Sequence, residues 1–298
     1  GCDRHMVVSA SPLRYKPMVG RGGRSAPQFR SHLNEDLRWM SPSMRKGGGD
    51  ASLQSVVAQA VAWRVELILG PLLLLAGAWL MYRAGAFPLS GIRDSLLAFV
   101  ALALLVLYTS PSMFLVSGPG LANRVTFLRA TLVLPLAVAS VAPMPLETSG
   151  VLGLIGLGIV ALALDAVDGA VARRHGCATP FGARFDMELD AFLILVLALL
   201  VWRTGQTGAW VLLIGLMRYA FVAAAWVWRW LDAALPPSRR RQALCVVQSV
   251  VLLVALAPFV SPQMATVLGL AALLLLIYSF TVDVLWLYRH RPAIGDEK

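Results

Sequence analysis

Residues 151–201 read VLGLIGLGIVALALDAVDGAVARRHGCATPFGARFDMELDAFLILVLALLV, two apolar stretches joined by a polar bend that contains Gly176, Pro180 and Gly182. The stretches, 151–167 and 191–201 with the second extending back towards Asp186, approach the roughly 20 residues with which a helix crosses a hydrocarbon core about 30 Å thick. A helix satisfies its backbone hydrogen bonds internally, so it is the natural form for such a stretch in lipid. Four carboxylates, Asp165, Asp168, Asp186 and Asp190, fall within 26 residues where the two stretches meet the bend. An ionisable residue inside a membrane helix is costly and points to function by default.

The rest of the chain has the same character. Of its 298 residues 58% are hydrophobic and only 14% charged, with a mean hydropathy of +0.71, far from the balance of a soluble domain. Further apolar windows at 67–82, 96–116, 125–142, 210–228, 243–260 and 264–288 bring the expected number of spans to eight. The fold class is therefore an all-α polytopic membrane protein. Residues 1–60, rich in Arg, Lys, Gly, Ser and Pro, read as a disordered basic tail without the apolar core of a secretory signal peptide. A two-helix hairpin is expected in 61–118, joined by a short loop containing Arg83 and Arg93, then a six-helix region over 119–292 and a short tail at 293–298.

A net charge of +10 raises the question of nucleic acid, but the basic residues sit in the tail and the loops. That distribution fits anionic headgroups and positive-inside orientation, not a nucleic-acid groove. The tail, Arg124 with Arg129, Arg173 with Arg174 and Arg184, Arg239 to Arg241, and Arg289 with Arg291 fall on one face. The other has little beyond Arg83, Arg93 and Arg203. Eight spans then put both termini and the acidic bend in the cytoplasm, and a bacterial inner membrane is the expected location. Cys2, Cys177 and Cys245 lack CxxC spacing, and the four histidines are dispersed, so neither disulfides nor zinc are indicated. Trp202, Trp228, Trp230 and Trp286 lie near span ends as interfacial anchors.

Asp165 and Asp168 are three apart, within about 60° of each other on a helix face, and Asp186 and Asp190 are four apart on the next helix. The bend lets the two faces meet. Converging carboxylates in low dielectric need positive compensation, since they repel and each loses hydration. Oxygen-only ligands suit a hard cation, Mg²⁺ or Mn²⁺, and two such ions would clamp a pyrophosphate. Gly169 and Gly182 allow close approach of a nucleotide to the backbone, Ala172 keeps the surface shallow, Arg173 can neutralise phosphate, and Thr179 can donate to phosphate or sugar. Ion pairs that merely cap helix ends would explain any single Asp, but not four at helix-face spacing interleaved with Gly and Arg.

These residues, Asp165-x2-Asp168-Gly169-x2-Ala172-Arg173-x8-Gly182-x3-Asp186-x3-Asp190, resemble the signature of the CDP-alcohol phosphotransferases of phospholipid synthesis. Asn123-x2-Thr126-x2-Arg129 followed by Pro135 is similar to the interfacial start of that family's first core helix. The resemblance covers roughly 120–289 and implies a six-helix catalytic core, with the tail and first hairpin outside it. It implies metal coordination by Asp165, Asp168 and Asp186, with Asp190 as general base and further ligand. Gly169, Arg173 and Gly182 would contact the cytidine nucleotide. It also implies CDP-diacylglycerol as donor, a small alcohol as acceptor and CMP as product, and it allows a homodimer.

For the acceptor, Arg218 inside a span, where a lone Arg normally faces an interior cavity, and Arg239, Arg240 and Arg241 favour a phosphate-bearing alcohol, glycerol 3-phosphate. The triplet also fits a positive-inside anchor. Family members that make phosphatidylglycerophosphate commonly carry Pro after the third Asp and Lys after the fourth, where this chain has Met187 and Ala191. Serine, inositol phosphate and other alcohols stay open. The rival class is a cation or proton-coupled transporter, which also uses intramembrane acids, but those lie near the midplane of broken, repeated helices.

Overall fold

Long apolar segments with few helix breakers leave the backbone one economical solution, and the computed structural model is built from it. It describes residues 69–109, 121–175, 180–233, 235–236 and 238–290, so the expected tails 1–60 and 293–298 lie outside the described residues. Among the described residues all regular structure is helical. The helices are α1 (Leu69–Arg83), α2 (Ser90–Thr109), α3 (Leu121–Val141), α4 (Thr148–His175), α5 (Pro180–Arg203), α6 (Leu212–Val227), α7 (Arg239–Leu256) and α8 (Pro262–Arg289). Short 3₁₀ turns at Ala209–Val211 and Arg229–Asp232 flank α6.

Apolar windows locate the helices and misplace their ends, because hydropathy falls off at the interface while hydrogen bonding continues past it. Helix α4 runs on to His175, beyond the expected end at 167, and keeps Asp165 within regular helix. Helix α7 stops at Leu256, short of the expected 260. Pro258 disfavours helical geometry at the residue before it, and Ala257 is extended, with φ −66° and ψ 130°. The connection expected to hold Arg83 and Arg93 holds neither: Arg83 closes α1 and Arg93 lies in the first turn of α2.

Contacts fix the direction in which the helices run. Arg203, in the last turn of α5, donates to the carbonyls of Ala139, Ala142 and Met144, the last at 2.8 Å. The ends of α3 and α5 therefore lie together, and the carbonyls that a helix C-terminus leaves unpaired receive a cationic donor. Ser149, at the start of α4, donates to the carbonyl of Ala84 just after α1, at 2.9 Å. Gly205, at φ 73°, adopts the left-handed geometry that lets the chain leave α5. Helix α8 is started by Ser261, whose hydroxyl accepts from the Met264 amide at 3.3 Å, with Pro262 in the first turn.

Helix α5 packs against α3, α6 and α7. Its Leu193, Leu197, Leu200 and Val201 join Val133 and Leu136 of α3, Leu154 of α4 and Leu252 and Leu256 of α7 in one buried cluster. A helix covered on several sides can be apolar all round, which accounts for the unbroken run 191–201. A Cβ on Gly215 of α6 would come 2.5 Å from the Leu195 Cα, so α6 lies with its backbone against α5, as small residues permit between membrane helices.

The outer surface is apolar. Leu72, Leu80, Leu97, Leu104, Leu270 and Leu274 are all exposed, and the segments Thr148–Ala166, Ala209–Val227 and Pro262–Arg289 are long and apolar enough to cross a membrane. Such a surface requires lipid, not water, as its solvent. Trp230 and Tyr288 meet edge-on at 5.9 Å, which ties the second 3₁₀ turn to the last helix.

Candidate active site

At the end of the bundle opposite Arg203, α3, α4 and α5 bring four charged side chains together. Arg129 lies early in α3, Asp165 late in α4, and Asp186 and Asp190 early in α5. The pair on α5 shares a face because four residues nearly complete a turn. Arg129 Nη1 donates to Oδ1 of Asp165 and to Oδ1 of Asp186, the latter at 2.9 Å, while Nη2 donates to Oδ1 of Asp190. One carboxylate oxygen from each of the three acids lies within 4.8 Å of the others.

The cluster has a floor and an opening. The Arg129 side chain is 0% exposed, whereas those of Asp165, Asp186 and Asp190 keep 22%, 39% and 27%. Three anions at this separation repel strongly in low dielectric, and one guanidinium offsets only one of their charges. A planar fork suits the task, since its terminal nitrogens reach several carboxylate oxygens in fixed directions. All donors in the acidic triad are oxygens, and the acids open outward. That chemistry fits a hard divalent cation.

The structure brings together three of the four acids read from the sequence. Asp168, Gly169, Ala172 and Arg173 belong to the last turns of α4 and Gly182 to the first turn of α5, but their side-chain surroundings lie outside the described residues. Thr179 lies outside them altogether.

The arginines expected to meet the acceptor occupy the flank. Arg218 of α6 does not stand alone in a cavity but pairs with Glu188 of α5. Glu188 sits between Asp186 and Asp190 in sequence and on the other side of the helix in register. Arg240 and Arg241, in the first turn of α7, share Asp283 of α8, the second at 3.3 Å. Arg241 also donates to the Pro236 carbonyl, and Arg239 is exposed.

Sequence reasoning did not nominate Arg129, Glu188 or Asp283 for the site. Two of the three carried a usable signal. Arg129 and Asp283 fall inside the expected spans 125–142 and 264–288, and the rule that singled out the aspartates applies to them equally. The place of Arg129 in Asn123-x2-Thr126-x2-Arg129 and among the interfacial positive charges says nothing of an acidic partner. Glu188 is masked by the motif around it.

No curated protein and no solved structure matches the chain. A family model described as CDP-alcohol phosphatidyltransferase matches residues 120–281, more than half of the chain and all three helices that form the acid cluster. With its long apolar helices, the matched region makes this an integral membrane protein. The chain belongs to the CDP-alcohol phosphatidyltransferase family, transferases that move a phosphatidyl group from a CDP-alcohol in phospholipid synthesis.

Proposed function

We propose that the protein transfers the phosphatidyl group of CDP-diacylglycerol to the hydroxyl of glycerol 3-phosphate and releases CMP. The observation that carries this reading is the convergence of Asp165, Asp186 and Asp190 from two helices inside the segment that matches the family. Those three acids, with Asp168 one turn further along α4, would hold Mg²⁺ or Mn²⁺, in all two ions. When bound, the metal neutralises the charge of the pyrophosphate.

The remaining chemistry falls to the chain. Asp190 takes the proton of the acceptor hydroxyl as its oxygen attacks the lipid-side phosphorus, and the phosphorus–oxygen bond to CMP breaks. The hydrogen bond from Arg129 Nη2 holds one Asp190 oxygen and so fixes the orientation of the carboxylate. Gly169, Ala172 and Gly182 give the nucleotide close approach, and Arg173 and Thr179 bind its phosphates or sugar. Apolar walls hold the two acyl chains in the bilayer while the headgroup reaches the acids.

Glycerol 3-phosphate is favoured by the cations around α7. Arg240 and Arg241 together exceed the single charge of Asp283, and Arg239 adds a third guanidinium at the helix start. Arg218 would exchange Glu188 for the acceptor phosphate. We place eight spans in a bacterial inner membrane with the acid cluster and both termini on the cytoplasmic side, and 61–118 as a hairpin beside the 119–292 core. A homodimer is compatible with that arrangement.

The test is turnover of labelled CDP-diacylglycerol by purified protein in lipid with Mg²⁺ or Mn²⁺, across glycerol 3-phosphate, serine, inositol phosphate and inositol. CMP release with glycerol 3-phosphate and loss with EDTA are expected. Release with another alcohol would keep the reaction and move the acceptor. Silence across the panel would overturn the donor.

A further inference from the structure

Arg129 is unusual because of where its hydrogen bonds go. Both terminal nitrogens are spent on acids, from two helices other than its own, while its buried Nε–H has no partner among the described residues. An arginine that fastens a helix end donates to backbone carbonyls, as Arg203 does. Each acid meets Arg129 through one oxygen, Oδ1, and each carboxylate has a second. The guanidinium lies wholly buried while the three acids keep part of their surface exposed.

We propose that Arg129 is a positioning residue for the metal site. Its fork ties one oxygen each of Asp165, Asp186 and Asp190 to a common floor and holds the three carboxylates together before any metal arrives. Without it the acids would splay under their mutual repulsion, and a cation would first have to gather them. Groups that orient metal ligands from behind commonly carry 10–100-fold of metal affinity. The inference rests on the reading of the triad as a divalent-metal site and adds a role to a residue outside the acidic motif.

The experiment is Mn²⁺ binding by electron paramagnetic resonance, with thermal unfolding in parallel, on full-length protein in nanodiscs. Wild type, Arg129→Met and Arg129→Lys are compared. Arg129→Met is expected to weaken Mn²⁺ binding by about 10–100-fold. Arg129→Lys, which keeps the charge and loses the fork, is expected to recover part of that loss but to stay at least about threefold weaker than wild type. A folded Arg129→Met variant with unchanged or tighter Mn²⁺ binding would overturn the proposal, because the arginine would then be structural or would compete with the metal. If Arg129→Met does not fold, Arg129→Lys decides: wild-type affinity there overturns it equally. Absence of Mn²⁺ binding by wild type would overturn the metal reading itself, and shows before any substitution is made.

Discussion

Two arginines, at opposite ends of the same pair of helices, use the same fork on different partners. Arg203 binds three carbonyls at the end of α3, and Arg129 binds three carboxylates near its start. Carbonyl dipoles at a helix terminus are permanent and carry no net charge, so the Arg203 end is a fastening. Carboxylates carry full charges and oxygens that a cation can share, so the Arg129 end is a site. A buried arginine is therefore read from what it holds, not from its burial.

The sharpest way to break this contrast is to remove chemistry at one end and leave the fold alone. Asp190→Asn is expected to lower kcat by about 10²–10⁴-fold, the usual contribution of a general base, with the protein still folded. Residual CMP release near the wild-type rate would take the base role away from Asp190. Loss of the fastening should do the opposite. Arg203→Met is expected to cost about 2 kcal/mol, from charged hydrogen bonds given up at the end of α3, by the same amount in Mn²⁺ and in EDTA. A cost that Mn²⁺ reverses would tie Arg203 to the metal end and dissolve the distinction.

Smaller changes sharpen it. Ser261→Ala removes the cap of α8 and should lower stability by about 1 kcal/mol in thermal unfolding, with Mn²⁺ affinity unchanged. Glu188→Gln releases Arg218 without touching the triad. The expected result is a KM for glycerol 3-phosphate lowered about threefold at constant kcat, in line with the modest value of partly exposed pairs. An unchanged KM would remove Arg218 from the acceptor site.

The segment 168–185 illustrates how far the chain could be read without its fold. Periodicity and spacing were enough to put Asp186 and Asp190 on one face of one helix, because 3.6 residues per turn is a local property. The family signature needed only the same local spacing, and the match over residues 120–281 agrees with it. Helix ends were less legible. Arg93 and the stretch up to His175 belong to regular helix outside the apolar windows, while Ala257 stops it because of a proline one position on. The eightfold span pattern rests on windows alone, and among the described residues three segments meet the length and apolarity needed to cross a membrane.

Charge partners were not legible, since partnership depends on which helices lie side by side. Arg129 is 36 residues from Asp165 and 61 from Asp190, and Arg240 is 43 from Asp283. In the primary sequence neither Arg129 nor the arginine triplet has an acidic partner within helical register. Local chemistry along the chain settled that this is a helical membrane protein with an acidic motif of a known family, because hydropathy, helical register and motif spacing are carried by neighbouring residues. The packing of α3 against α4 and α5 decided that a buried guanidinium underlies three of those acids, because electrostatics acts through space, and only the folded chain sets the distances.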